Sequence, residues 1–226
     1  MQSIPSQKRH ARFHEPGTLY HVISKTAGGA FFLTPKQGVK ELCAGVVGKA
    51  QLNYPGVKLY GYAFMSNHIH LMISGSSIGI AYFMGFIKRE LSRRIGIKYG
   101  FKGPKWQCRY TSTALPTLRS QEACLKYILS QGVKENLVSH PFHWPGLHCA
   151  KQLSTGKAKP GQWFNSTAYK RAKRQESTKP NPKKIRKAEY YQELSVQISF
   201  LPHWESYSVD KKKSKVDSFI KEIVER

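Results

Sequence analysis

Carboxylates are scarce in this sequence. Thirteen Asp and Glu stand against 37 Lys and Arg in 226 residues, and Asp occurs only at Asp210 and Asp217. The first 150 residues carry just Glu15, Glu41, Glu90, Glu122 and Glu135. Chemistry built on paired carboxylates is therefore close to excluded, which removes two-metal nucleases and polymerases, acidic-triad transposases and typical glycosidases. Long apolar runs are also missing. The most apolar stretch, Ile78 to Ile87, has about half the length of a bilayer span and reads as a buried helix face. Lys8, Arg9 and Arg12 are followed by no apolar segment of the signal-peptide kind, so a cytoplasmic, nucleoid-associated protein without a membrane partner is expected. Cys43, Cys108, Cys124 and Cys149 form no CxxC pair, as reduced, packed thiols would. His140, His143, His148 and Cys149 offer zinc-type ligands, but their spacing fits no familiar zinc module.

What is abundant is positive charge. A formal net charge of +24 favours a polyanion, and nucleic acid is the usual one, with an anionic membrane as runner-up. Hydrophobic residues at 40% supply one sizeable core, or one domain with an appendage. Leu19 to Lys25 alternates like a strand, and Lys36 to Leu52 has helical apolar spacing after Thr34 and Pro35 as cap and first-turn residues. Val57 to Met65 and His68 to Ser74 read as a hairpin turning at Ser66 and Asn67. A helix over Ile80 to Tyr99, a strand over Trp106 to Leu115 and a helix over Arg119 to Glu135 with Ser120 as N-cap follow. This order predicts an α+β fold: a ferredoxin-like split βαβ antiparallel sheet with helices on one face. Three segments are expected: a basic N-terminal segment over 1–16, the sheet domain over 17–150, and a basic C-terminal extension over 151–226. The extension holds 18 basic and 8 acidic residues. STGKAKPGQ reads as a linker and Lys170 to Lys187 as a solvated, disordered arm.

The candidate chemistry lies in the middle. On an alternating strand His68 and His70 project from one face, with Cα atoms about 6.7 Å apart, while Ile69, Leu71 and Ile73 project from the other. Two neutral imidazoles so placed suit one metal ion, although an isolated HxH equally suits surface histidines beside a hairpin. In LKYILSQGVKENLV, Tyr127 and Gln131 stand four residues apart on one helical face. Gln131 can complete a His-His-Gln site, or be a helix-surface amide; Glu135 is the one acid on a similar face. Tyr127 can serve as a nucleophile toward a metal-bound phosphate, or as a rim tyrosine.

PGTLYHVISKT, GYAFMSNHIHLMIS, KWQCRYTST, LKYILSQGVKENLV and HPFHWPG, in this order, resemble the REP-associated tyrosine transposases of the HUH single-strand transposase superfamily. The resemblance spans about residues 10 to 150. It implies that His68 and His70 bind a divalent ion, Mg²⁺ or Mn²⁺, and that Tyr127 is the nucleophile. It also implies cleavage of single-stranded DNA beside imperfect palindromes, through a 5′-phosphotyrosine and a free 3′-hydroxyl that later rejoins, by a monomer or a homodimer. The REP-associated branch usually reads YIxLNPVRAGLV, whereas this chain reads YILSQGVKENLV. Its Tyr-x-x-x-Gln spacing resembles the related insertion-sequence transposases, in which the Gln is a metal ligand. Ser66 replaces the usual Pro before the NH pair. The leading expectation is a metal-dependent strand transferase. Its rivals are a non-cleaving DNA- or RNA-hairpin binder derived from such an enzyme, and a plain RNA-binding module, which needs exposed aromatics on its central strands.

Overall fold

The computed structural model describes residues 12–181 and 183–225, so most of the basic segment expected over 1–16 lies outside the described residues. Strand β1 (Leu19–Lys25) alternates buried and half-buried residues, as a strand with one crowded face must. Helix α1 (Val39–Asn53) starts after Gly38 rather than at Thr34 and Pro35, because Gly38 at φ +75° turns the chain in the left-handed region. Strands β2 (Lys58–Phe64) and β3 (His68–Ser74) form the expected hairpin, and the Met65 N–H donates to the His68 carbonyl at 2.9 Å to close its turn. Helix α2 (Ser77–Tyr99) is capped by Ser76 and stops at the left-handed Gly100.

Strand β4 (Thr111–Leu115) is shorter than expected. Trp106 makes only an isolated bridge to Thr26, and its indole N–H is taken by Lys88 O at 3.0 Å and Ser92 Oγ at 2.8 Å. Helix α3 (Leu118–Leu129) is capped by Thr117, one turn earlier than expected, with Ser120 at N3 closing the capping box.

The sheet runs β2-β3-β1-β4 and every pair is antiparallel, the ferredoxin-like split βαβ arrangement. The register sets Ile23 and Ala63 beside His70, and Lys25 beside His68. Helix α3 crosses this face, where a Cβ on Gly61 would touch Leu125 and Ile128. The opposite face, with Val22, Ile69, Leu71 and Ile73, is fully buried; it is left to the crossover helices α1 and α2, which pack on each other. Leu147 and Cys149 hydrogen-bond to Phe64 and Tyr62, covering the β2 edge.

The predicted linker is structured. STGKAKPGQ contains the end of α4 (Ala150–Thr155) and the start of β5 (Lys159–Phe164). Strand β5 pairs with β6 (Tyr191–Val196), α5 (Ser166–Ser177) lies between them in sequence, and α6 (Val209–Val224) follows. The Lys170 to Lys187 run begins inside α5, which has no buried residue, so that part is solvated but helical rather than a disordered arm. Helix α6 buries Val216, Ile220 and Ile223 at helical spacing, and its Lys215 and Glu222 pair with Glu122 and Lys126 of α3. The extension therefore folds back on the helix that carries Tyr127.

Two glycines explain how the hairpin seats. A Cβ on Gly45 would overlap the Gln162 carbonyl, and one on Gly48 would press on Leu194, so glycine inside α1 exchanges helix propensity for close approach of β5 and β6. Gly45→Val is expected to destabilise the protein by about 2–3 kcal/mol, the scale of core overpacking, read as a lower denaturant midpoint. An unchanged midpoint would mean the hairpin does not need this contact.

Candidate active site

Tyr127, near the C-terminal end of α3, meets the histidine face of the sheet. Its ring centroid lies 5.5 Å from that of His70 and 5.8 Å from that of His21, while His68 and His70 stand edge to face at 4.7 Å. His70 is buried, whereas Tyr127 is 39% exposed. These side chains line a cleft of about 710 Å³ together with Lys25, Phe31, Gln131 and Lys134.

Hydrogen bonds orient both rings. His68 Nδ1 lies 2.7 Å from Asn67 Oδ1, and His70 Nδ1 lies 3.0 Å from His21 Nε2, while the Gln131 side chain interacts with both rings. Burial lowers the pKa of His70 to about 2, with His68 and His21 adding to the effect, and burial also lowers His68 and His21. Neutral imidazoles, the form that binds metals, result.

Gln131 reaches the site differently from the expected helical offset. Helix α3 ends at Leu129, and Gln131 lies in the following turn, where Gly132 at φ +90° redirects the chain. Its Nε2 donates to the Tyr127 carbonyl at 3.2 Å, while its buried Oε1 makes no well-formed hydrogen bond and lies against the His68 and His70 rings, whose charged forms it favours. A buried carbonyl oxygen without a well-formed hydrogen bond is costly, and a cation held with two imidazoles would satisfy it; the donor set fits a divalent ion in this respect. Among the described residues no group of three or more His, Cys, Asp or Glu could hold a metal, so such a site depends on the amide. Glu135 is otherwise engaged, accepting from the Gly132 N–H at 2.6 Å and standing 3.6 Å from Lys134.

Two residues of the site escaped the sequence reading. His21 sits beside His70 only through the β1–β3 pairing. Lys134 donates to Tyr127 Oη at 3.1 Å and lies 4.2 Å over its ring. Burial works to lower the Lys134 pKa, but the hydrogen bond to Tyr127 and the charge of Glu135 outweigh it and raise it, keeping the ammonium charged beside the phenol oxygen. The period-2 alternation of LYHVISK already put His21 on one face with Ile23 and Lys25, but no local signal linked it to His70.

The rival groupings do not assemble. His148 donates from Nε2 to the Ile128 carbonyl and accepts the Ala150 N–H at Nδ1, each at 3.1 Å, and burial pushes the Cys149 thiol up to about 12. Central strands β1 and β3 carry one aromatic among them, Tyr20, and it is buried, so the exposed platform of an RNA-binding sheet is absent from these described strands.

A family model described as "Transposase IS200 like" matches residues 18–131. A solved structure of a REP-associated tyrosine transposase bound to a REP hairpin aligns with TM-score 0.55 and 14% identity, over 66% of this chain and 86% of that one. A putative transposase from Deinococcus radiodurans aligns with TM-score 0.38 and 18% identity, over 57% of this chain and 98% of that one. No curated protein matches the sequence. Among the described residues no helix is long and apolar enough to cross a membrane.

Proposed function

The chain belongs to the IS200-like transposase family, and from that premise we propose that it cleaves and rejoins single-stranded DNA beside hairpins, with Tyr127 as nucleophile. One observation carries this reading: an exposed tyrosine, hydrogen-bonded to an ammonium, stands over two oriented neutral histidines and a buried amide oxygen that lacks a well-formed hydrogen bond. Tyr127 Oη attacks phosphorus and the P–O3′ bond breaks, leaving a 5′-phosphotyrosine and a 3′-oxygen that takes a proton from solvent. The phenolic proton leaves to solvent, and Lys134 holds the developing phenolate by a charge-assisted hydrogen bond. Attack by a 3′-hydroxyl reverses the step and rejoins the strand.

His68, His70 and Gln131 would hold Mg²⁺ or Mn²⁺, which supplies charge withdrawal from the scissile phosphate when bound. His21 and Asn67 orient the imidazoles, and Lys25 adds positive charge at the cleft. Hairpin DNA is the substrate suggested by the structural relative that binds a REP hairpin. Tyr127 and both histidines meet within one chain.

The test is a labelled single-stranded hairpin, drawn from palindromes repeated around the gene and incubated with Mn²⁺. A covalent protein–DNA band on a denaturing gel is expected. Tight binding with no such band on any of these hairpins would favour a non-cleaving hairpin binder instead.

A further inference from the structure

A second cleft, of about 570 Å³, shares no lining residue with the first. Helix α2 contributes Arg93, Arg94 and Lys98, and the β5–α5–β6 region contributes Lys170 and Lys187, so five cations and no acid line it. Arg93 and Arg94 share the single carboxylate of Glu90, at 2.7 and 3.0 Å, which leaves the surroundings strongly positive. Interleaved with these cations are aromatic rings. Phe164 lies 5.0 Å from Tyr191 and 5.5 Å from Tyr169, and the Lys187 ammonium is 5.1 Å above Phe164.

A purely structural role would fasten the hairpin onto α2, and part of the set does this: Arg94 stacks 3.6 Å over Trp163 and donates to the Phe164 carbonyl at 3.0 Å, and Arg93 donates to Ser166 Oγ at 3.1 Å. The remainder is left over. Tyr191 is 47% exposed, Lys170 and Lys187 are exposed, and cations gathered around an open cavity repel one another unless an anion lies between them. Phosphates between cations with aromatic faces for bases is the chemistry of single-strand binding.

One backbone segment borders both clefts. Strand β1 ends at Lys25 beside the catalytic cleft; Thr26, Gly29 and Phe31 line that cleft, and Gly38, a few residues on, lines the second. Tyr99 of α2 donates to the Gln37 carbonyl at 3.1 Å and ties this segment to the helix that forms the second wall.

We propose that this second cleft binds unpaired nucleotides of the DNA strand engaged at the catalytic cleft, with phosphates on Lys170 and Lys187 and a base on Tyr191 and Phe164. The proposal extends the strand-transferase reading and depends on it for the identity of the strand.

The test uses the full chain and measures binding by fluorescence anisotropy, with a short oligothymidylate as probe and a blunt hairpin lacking a single-stranded tail as control. Lys170→Gln with Lys187→Gln, and separately Tyr191→Ala, are expected to weaken oligothymidylate binding about tenfold, with Tyr191→Phe restoring it. The lysine pair should also reduce the salt slope by about 1.4, at 0.7 per lost single-strand contact. Blunt-hairpin affinity and adduct yield at saturating DNA should stay unchanged. Unaltered oligothymidylate binding, or an equal loss on the blunt hairpin, overturns the proposal. Full competition by micromolar thymidine monophosphate would make this a mononucleotide pocket, and tighter binding of oligouridylate would make it an RNA site; either outcome also overturns it. Because these readouts are binding and not cleavage, a wild-type protein that forms no adduct but loses oligothymidylate in the variants would fail the catalytic reading alone.

Discussion

Tyr127→Phe is expected to lower covalent DNA attachment by on the order of a thousandfold or more, the scale on which loss of a nucleophile acts in other covalent enzymes. Hairpin affinity should change by less than about tenfold, since the substitution removes one hydroxyl and the hydrogen bond it makes. The separation of these effects is the informative part. A tyrosine that only lined the cleft would alter binding and cleavage together. Lys134→Gln should slow attachment by about 10- to 100-fold without abolishing it, because a charged donor is lost from the phenol oxygen while the nucleophile stays. Tyr110 is buried under the Arg12 guanidinium, and Tyr190 and Tyr191 belong to the β5–β6 side, so none should replace Tyr127. An adduct that persists in the Phe variant, mapped by peptide sequencing to another tyrosine, would withdraw the assignment.

Removal of the divalent ion, or of the imidazoles that would hold it, is the second large effect expected. EDTA treatment or His68→Ala with His70→Ala should stop cleavage, and titration with Mn²⁺ should find no specific site in the double variant. His21→Ala should lower Mn²⁺ affinity by about 10- to 100-fold, because it removes the partner that orients His70 and leaves the ligand itself in place. Gln131→Leu should weaken the site and Gln131→Glu should keep or strengthen it, whereas Glu135→Ala should leave it intact. The pH dependence follows from the histidines. A raised pKa would make protons compete with metal near neutrality; here burial lowers both His68 and His70, so each stays neutral as acid is added. Mn²⁺ affinity should therefore hold from about pH 7 to about pH 6, where an unperturbed imidazole with pKa near 6.5 would already be losing it. Full cleavage after metal removal verified by elemental analysis, or metal loss in Glu135→Ala alone, would contradict this ligand set.

His68 and His70 were legible because a strand's period of two puts them on one face whatever the rest of the chain does. The order of strands and helices was legible for the same reason: apolar periodicity is local, and a βαββαβ sequence of elements admits few sheet topologies. Scarcity of acid likewise pointed away from carboxylate chemistry before any contact was known. Tyr127 and Gln131 were legible as a linked motif, although their meeting comes from a turn beyond the helix end and not from one helical face. The rest required the tertiary structure. His21 and His70 are 49 residues apart and touch through strand register; Lys134 reaches Tyr127 after the chain reverses at Gly132. Composition made Lys170 to Lys187 look like a solvated arm, yet the sparse apolar residues of the 151–226 extension, Trp204, Val216 and Ile220 among them, are buried where the chain folds back on its first 150 residues. Gly45 and Gly48, weak points in an isolated helix, became the seat of a hairpin drawn from more than 100 residues away. Periodicity determines which side chains share a face of one element; which faces meet depends on long-range packing and backbone close approach, and that decided both the second cleft and the polar shell of the first.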